Sequence, residues 1–123
     1  MLTDFPRYNL EIERFKKGKL YSKIYRNAIE FIQLNGRKNK PVSSKTLEEY
    51  FGIGGKSLRT IVSFARCEDG FPIGSNNDGY FWAKNIDEIN DTINHMEERA
   101  FKIQKAANSL KEAFATQNQL SCL

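Results

Sequence analysis

Residues 43–84 read SSKTLEEYFGIGGKSLRTIVSFARCEDGFPIGSNNDGYFWAK, and the order of elements in this stretch decides the fold. The spacing predicts a short helix over residues 45–51. Ser44 is a suitable N-cap, and Glu48 or Glu49 adds negative charge near the helix N-terminus, where the dipole favours it. Gly52-Ile53-Gly54 follows as a tight turn. The next helix covers residues 55–68, with Leu58, Ile61, Val62 and Ala65 on one side and Lys56, Arg59, Thr60, Ser63 and Arg66 on the other. Asp69-Gly70 breaks it. Two β-prone segments, 71–75 and 80–84, then flank Asn76-Asn77-Asp78-Gly79, and Asp-Gly between such segments is a hairpin signal because both residues accept positive φ. Pro72 suits an edge or first strand position, which a two-stranded ribbon provides.

Upstream, apolar residues recur at Leu20, Tyr21, Ile24, Tyr25, Ala28, Ile29 and Ile32, the stripe of an amphipathic helix over residues 19–35. Asn35-Gly36 closes it. Residues 37–42 form a basic loop, and Pro41-Val42-Ser43 is a candidate short strand. Residues 1–18 show no sustained period and are expected to form an N-terminal arm.

Downstream, Asn85 and Glu88 are spaced as an approximate capping box that opens a last helix over residues 85–117, leaving 118–123 as a tail. In that helix Ile86, Ile89, Ile93, Met96, Ala100, Ile103, Ala107, Leu110 and Phe114 alternate by 3 and 4 without a break. That is the a/d seam of a coiled coil. A helix of this length exceeds what the rest of the domain covers, so its last turns call for the same helix of a second chain; packing against the helix at 19–35 is the alternative. The seam therefore predicts a homodimer through this helix.

The whole order (helix, short strand, helix, Gly turn, helix, hairpin, long helix) predicts a mainly α protein with a small β-hairpin, a winged helix-turn-helix domain over 19–84 followed by a long C-terminal helix. Residues 43–99 resemble winged-helix proteins of bacteriophages of Gram-positive bacteria. The resemblance is carried by Ser43-Ser44-Lys45-Thr46-Leu47, Gly52-Ile53, Leu58-Arg59, the Ile73-Gly74-Ser75 and Asp78-Gly79-Tyr80 hairpin, and Glu97-Glu98-Arg99 in the long helix. It implies double-stranded DNA as partner and a role in phage DNA replication initiation or transcription regulation.

Charge distribution agrees with that expectation. The net charge is +4, but residues 1–45 hold 11 Lys/Arg against 4 Asp/Glu. A basic stripe is the footprint of a phosphate-binding surface, although a solvated face carries one too. On the second helix of the motif, Arg59 is the first candidate for base contact, because Arg bonds guanine O6 and N7 in a bidentate fork; a surface ion pair with Glu48 or Glu49 is its other use. Lys56, Thr60 and Ser63 share its arc. Arg66 lies one turn further and could instead pair with Glu68 or Asp69. Lys40 and Lys45 are placed for backbone phosphate. Asn76 and Asn77 at the wing tip could read bases, or could simply serve the turn.

Other chemistry is excluded on the residues. His95 is the sole histidine and has no triad or metal pattern around it. Gly52-Ile53-Gly54-Gly55-Lys56-Ser57 lacks the spacing and the preceding strand of a phosphate loop. Tyr80, Phe81 and Trp82 invite base stacking, but strand alternation assigns them first to the core. Neither an enzyme nor a cofactor is expected. No apolar run approaches a membrane span, residues 1–6 lack secretory-signal regions, and Cys67 and Cys122 are read as free thiols, so a cytoplasmic location is expected, the bacterial host cytoplasm if phage-encoded. The alternative function is a protein-interaction module, an adaptor or inhibitor of a host protein built on the same scaffold.

Overall fold

The computed structural model describes residues 19–121, with side chains described over 23–116. The proposed arm at 1–18 lies outside the described residues. The elements are α1 (Lys19–Asn35), α2 (Ser44–Phe51), α3 (Gly55–Cys67), β1 (Ile73–Asn76), β2 (Gly79–Trp82) and α4 (Ile86–Ser121). The chain is thus mainly helical, with a small antiparallel hairpin and a long C-terminal helix. It divides into two compact units, with the boundary between Ile89 and Asn90.

In the first unit the apolar stripe of α1 buries Ala28, Ile29 and Ile32, while α2 contributes Leu47 and α3 contributes Leu58, Ile61, Val62 and Ala65. Each helix therefore turns the face predicted by its 3.6-residue period inward. The hairpin closes this core with Ile73 on β1, against which Tyr80 and Trp82 of β2 pack, while Phe81 is buried on the opposite face of the hairpin with its ring over Gly74. Its register sets Ile73 opposite Trp82 and Asn76 opposite Gly79. The strands are displaced from the predicted segments because the turn needs only Asn77-Asp78; Asn76 Oδ1 accepts from the Asp78 and Gly79 N–H groups at 2.8 and 3.2 Å, forming the turn itself. Of the three consecutive aromatics, Phe81 is buried and Tyr80 and Trp82 are half-buried, as strand alternation requires. Trp82 packs its ring against Phe71 at a centroid distance of 5.4 Å.

The short segment at Val42 is also strand-like. Val42 and Tyr80 exchange both backbone hydrogen bonds, each 2.8 Å, so the loop after α1 is tied to the outer edge of β2. This approach is close enough that Gly79, at φ +147°, could carry no side chain: a Cβ there would fall 2.1 Å from the Val42 carbonyl oxygen. The same extended backbone makes Ser43, not Ser44, the N-cap of α2. Its Oγ accepts from the Thr46 N–H at 3.1 Å, whereas the Ser44 hydroxyl donates to Glu48 Oε2 at 2.8 Å. Gly52 ends α2 in the left-handed conformation, φ 62°, and its role in the turn is the predicted one.

The described part of the second unit, Asn90 to Ser121, is helical. The α4 helix as a whole has 36 residues, about 54 Å at 1.5 Å per residue. Asn85 Oδ1 accepts from the Glu88 N–H at 3.0 Å, as a cap should, but Glu88 Oε1 reaches back to the Lys84 N–H (2.7 Å) instead of closing a reciprocal box on Asn85. The helix continues to Ser121, through most of the segment predicted as a tail. No helix among the described residues is long and apolar enough to cross a membrane.

Candidate nucleic-acid interface

The solvent-facing side of α3 is built by the same period that makes its core side. Leu58, Ile61, Val62 and Ala65 are buried; at 100° per residue, Lys56, Arg59, Thr60 and Ser63 centre on the opposite side. Lys56 and Arg59 are exposed, and Thr60 and Ser63 are half-buried. The Thr60 hydroxyl donates back to the Lys56 carbonyl at 3.1 Å, which keeps that side chain close to the helix. Two cations and two hydroxyl-bearing residues thus share one arc of a single helix.

The N-terminus of α3 has no side-chain cap, since Gly54 occupies the cap position. Gly55 behind it leaves room for neighbours. A Cβ at Gly55 would stand 3.3 Å from both Arg59 Nη1 and Glu48 Oε1. Arg59 and the Glu48 carboxylate of α2, the partner that its sequence position suggests, thus both lie beside Gly55.

Arg66, at the edge of the arc, has a structural occupation. Its Nε donates to the Ile73 carbonyl at 2.8 Å and its Nη2 to Ser75 Oγ at 3.3 Å. These bonds fasten β1 to α3. Burial lowers the guanidinium pKa from its ordinary value, opposed by the electrostatic influence of Tyr80 and Cys67. Asp69, three residues beyond Arg66, instead accepts from the Tyr25 hydroxyl.

The remaining predicted residues are not gathered into the α3 arc. Lys45 is exposed in the first turn of α2. Lys40 is exposed at the end of a tight turn in which Arg37 and Lys40 exchange backbone hydrogen bonds of 3.1 and 2.9 Å. Asn76 is committed to its turn, and Asn77 is exposed at the tip. That tip, Asn76-Asn77-Asp78-Gly79, carries no Lys or Arg.

One cationic assembly goes beyond the sequence expectation. Arg37, Lys38, Asn39, Lys84 and Glu88 line a single shallow groove, bringing the basic turn after α1 beside the end of the hairpin. Arg37 is held there by bonds from Nη1 to the Gln33 and Gly36 carbonyls at 2.9 and 2.7 Å. The basic run at 37–40 signals half of this groove; Lys84 has no local signal, because only tertiary folding brings it close. Among the described residues, no group of three or more His, Cys, Asp or Glu is arranged to hold a metal ion. Comparison with protein families, curated proteins and solved structures gave no match to this chain.

Proposed function

We propose that this protein binds double-stranded DNA as a winged helix-turn-helix module, with α3 as recognition helix, β1–β2 as wing and no catalysis of its own. The observation that carries the reading is the Lys56, Arg59, Thr60 and Ser63 arc, exposed or half-exposed on the helix that follows the Gly52 turn. A helix in that position enters the major groove in proteins of this type. Arg59 reads a base edge there; Lys56, Thr60 and Ser63 contact base or phosphate; Lys40 and Lys45 contact backbone. Arg66 orients the wing, and Asn77 is its most available side chain. The protein acts as a homodimer through α4 in phage DNA replication initiation or transcription control, in the bacterial cytoplasm.

The direct test is an electrophoretic mobility shift with random and genomic duplexes at about 50 mM salt, where counterion release favours binding most. A shift that weakens steeply with added salt is the expected result; no shift at all would sink the proposal. A second reading is supported by the hairpin tip, which offers Asp78 and two Asn side chains but no cation. In that reading the scaffold docks a replication or host protein. Pulldown of a host protein that survives Lys56→Glu and Arg59→Glu, together with absent DNA binding, would establish it.

A further inference from the structure

The apolar seam of α4 is laid bare along the second unit. Ile93 is 36% exposed, Met96 50%, Ile103 63%, Leu110 72% and Phe114 67%. Side chains of this size at unbroken 3-and-4 spacing form a stripe whose 3.5-residue repeat matches a left-handed supercoil. Ile89, the preceding d position and the last residue of the first unit, is half-buried.

The occupant is decided by what each possible pairing does with the two small residues. With Ile93, Ala100, Ala107 and Phe114 at a, and Met96, Ile103 and Leu110 at d, a parallel dimer matches like with like. Ala100 then meets the partner's Ala100 and Ala107 meets the partner's Ala107, leaving two thin layers in the middle of the seam, and underfilled layers destabilise. An antiparallel dimer matches a with d. Met96 then faces the partner's Phe114, Ala100 faces the partner's Leu110 and Ala107 faces the partner's Ile103, so every alanine meets a large side chain. The same alignment sets the e-position Glu97 beside the partner's Lys111, twice by symmetry, and Gln104 beside the partner's Gln104. Sliding the helices by one heptad toward their N-termini would require the half-buried Ile89 and would replace the Glu97–Lys111 pairs by Glu97 against Gln104.

We infer that α4 pairs with α4 of a second copy in antiparallel orientation, Ala100 against the partner's Leu110, so that the Asn90 ends lie at opposite ends of the paired helices. The inference rests on the homodimer part of the proposed function and not on DNA contact. It makes the interface isologous, with the two-fold axis crossing close to residue 105.

Site-directed cross-linking on the full chain with Cys67→Ser and Cys122→Ser tests it. At 1.5 Å per residue, two copies of residue 104 stand about 3 Å apart along the axis in this register, while two copies of residue 110 stand about 15 Å apart. Gln104→Cys is therefore expected to form a disulfide-linked dimer, and Leu110→Cys is not. Glu97→Lys is expected to weaken dimerisation about fivefold by sedimentation equilibrium, and adding Lys111→Glu to restore it. Cross-linking through residue 110 but not 104, or a dimer indifferent to Glu97→Lys, overturns the antiparallel register. A monomer at the highest soluble concentration overturns the dimer as well, while the mobility shift reports on DNA binding separately.

Discussion

Leu58 and Leu110 are the same side chain in the same kind of secondary structure, yet Leu58 is fully buried and Leu110 is 72% exposed. The contrast holds between the two units at large. Up to Ile89 the apolar periods of α1, α2 and α3 converge on one another and on the hairpin, and the chain itself buries them. From Ile93 onward an equally regular apolar period stays exposed within the chain. A helical period therefore specifies a face to cover but not what covers it; in the first unit the chain supplies the cover, and in the second we assign it to another copy.

The largest predicted effect separates the two units. Leu58→Ala is expected to destabilise the fold by about 3 kcal/mol through loss of burial and the cavity left behind. Leu110→Ala is expected to leave the melting of the first unit unchanged while weakening self-association. Chemical denaturation read at Trp82, beside sedimentation, checks both. Equal destabilisation by the two substitutions would break the comparison.

Gly79→Ala comes next. It combines a φ that L side chains rarely adopt with a clash against the Val42 backbone, so a loss of about 2–3 kcal/mol is expected in the same denaturation experiment. Arg66→Met follows, at about 1–2 kcal/mol, since it takes the guanidinium donor away from the Ile73 carbonyl and the Ser75 hydroxyl. The distinguishing sign is local: amide exchange of β1 should quicken more than that of α1. The smallest effect is Ser43→Ala, about 1 kcal/mol from loss of the α2 cap, with Ser44→Ala costing less. The reverse order would contradict the assignment of Ser43 as the capping residue.

Much of the fold is legible in the sequence because its determinants are local. Gly52, the hairpin signal at 76–79 and the helical periods of α1, α3 and α4 each act within a few residues, and the structure follows them, except that the turn falls on Asn77-Asp78 and Gly79 already belongs to β2. The discrepancies lie where a distant contact chooses between local options. Local sequence places the α2 cap at Ser44; pairing of Val42 with Tyr80 holds the chain extended up to Ser43, which caps the helix instead. Arg66 has carboxylates two and three residues away, but its bonds go to the hairpin, whose position depends on the packed core. Lys84 joins Arg37 and Lys38 for the same reason. The candidate site is legible as a helix face, because a face is periodic, and illegible as a groove, because a groove is assembled from separate segments.

The central claim is that the outer face of α3 touches DNA. Its most direct test is a salt titration of binding to a genomic duplex, comparing the intact chain with Lys56→Ala/Arg59→Ala after thermal melting confirms that the variant is folded. Removing one phosphate contact lowers the dependence of log K on log salt by about 1, and removing a bidentate base contact costs about 1–3 kcal/mol of discrimination. The account predicts weaker binding, a shallower salt slope and reduced preference between duplexes. An unchanged affinity and slope in the folded variant would contradict it.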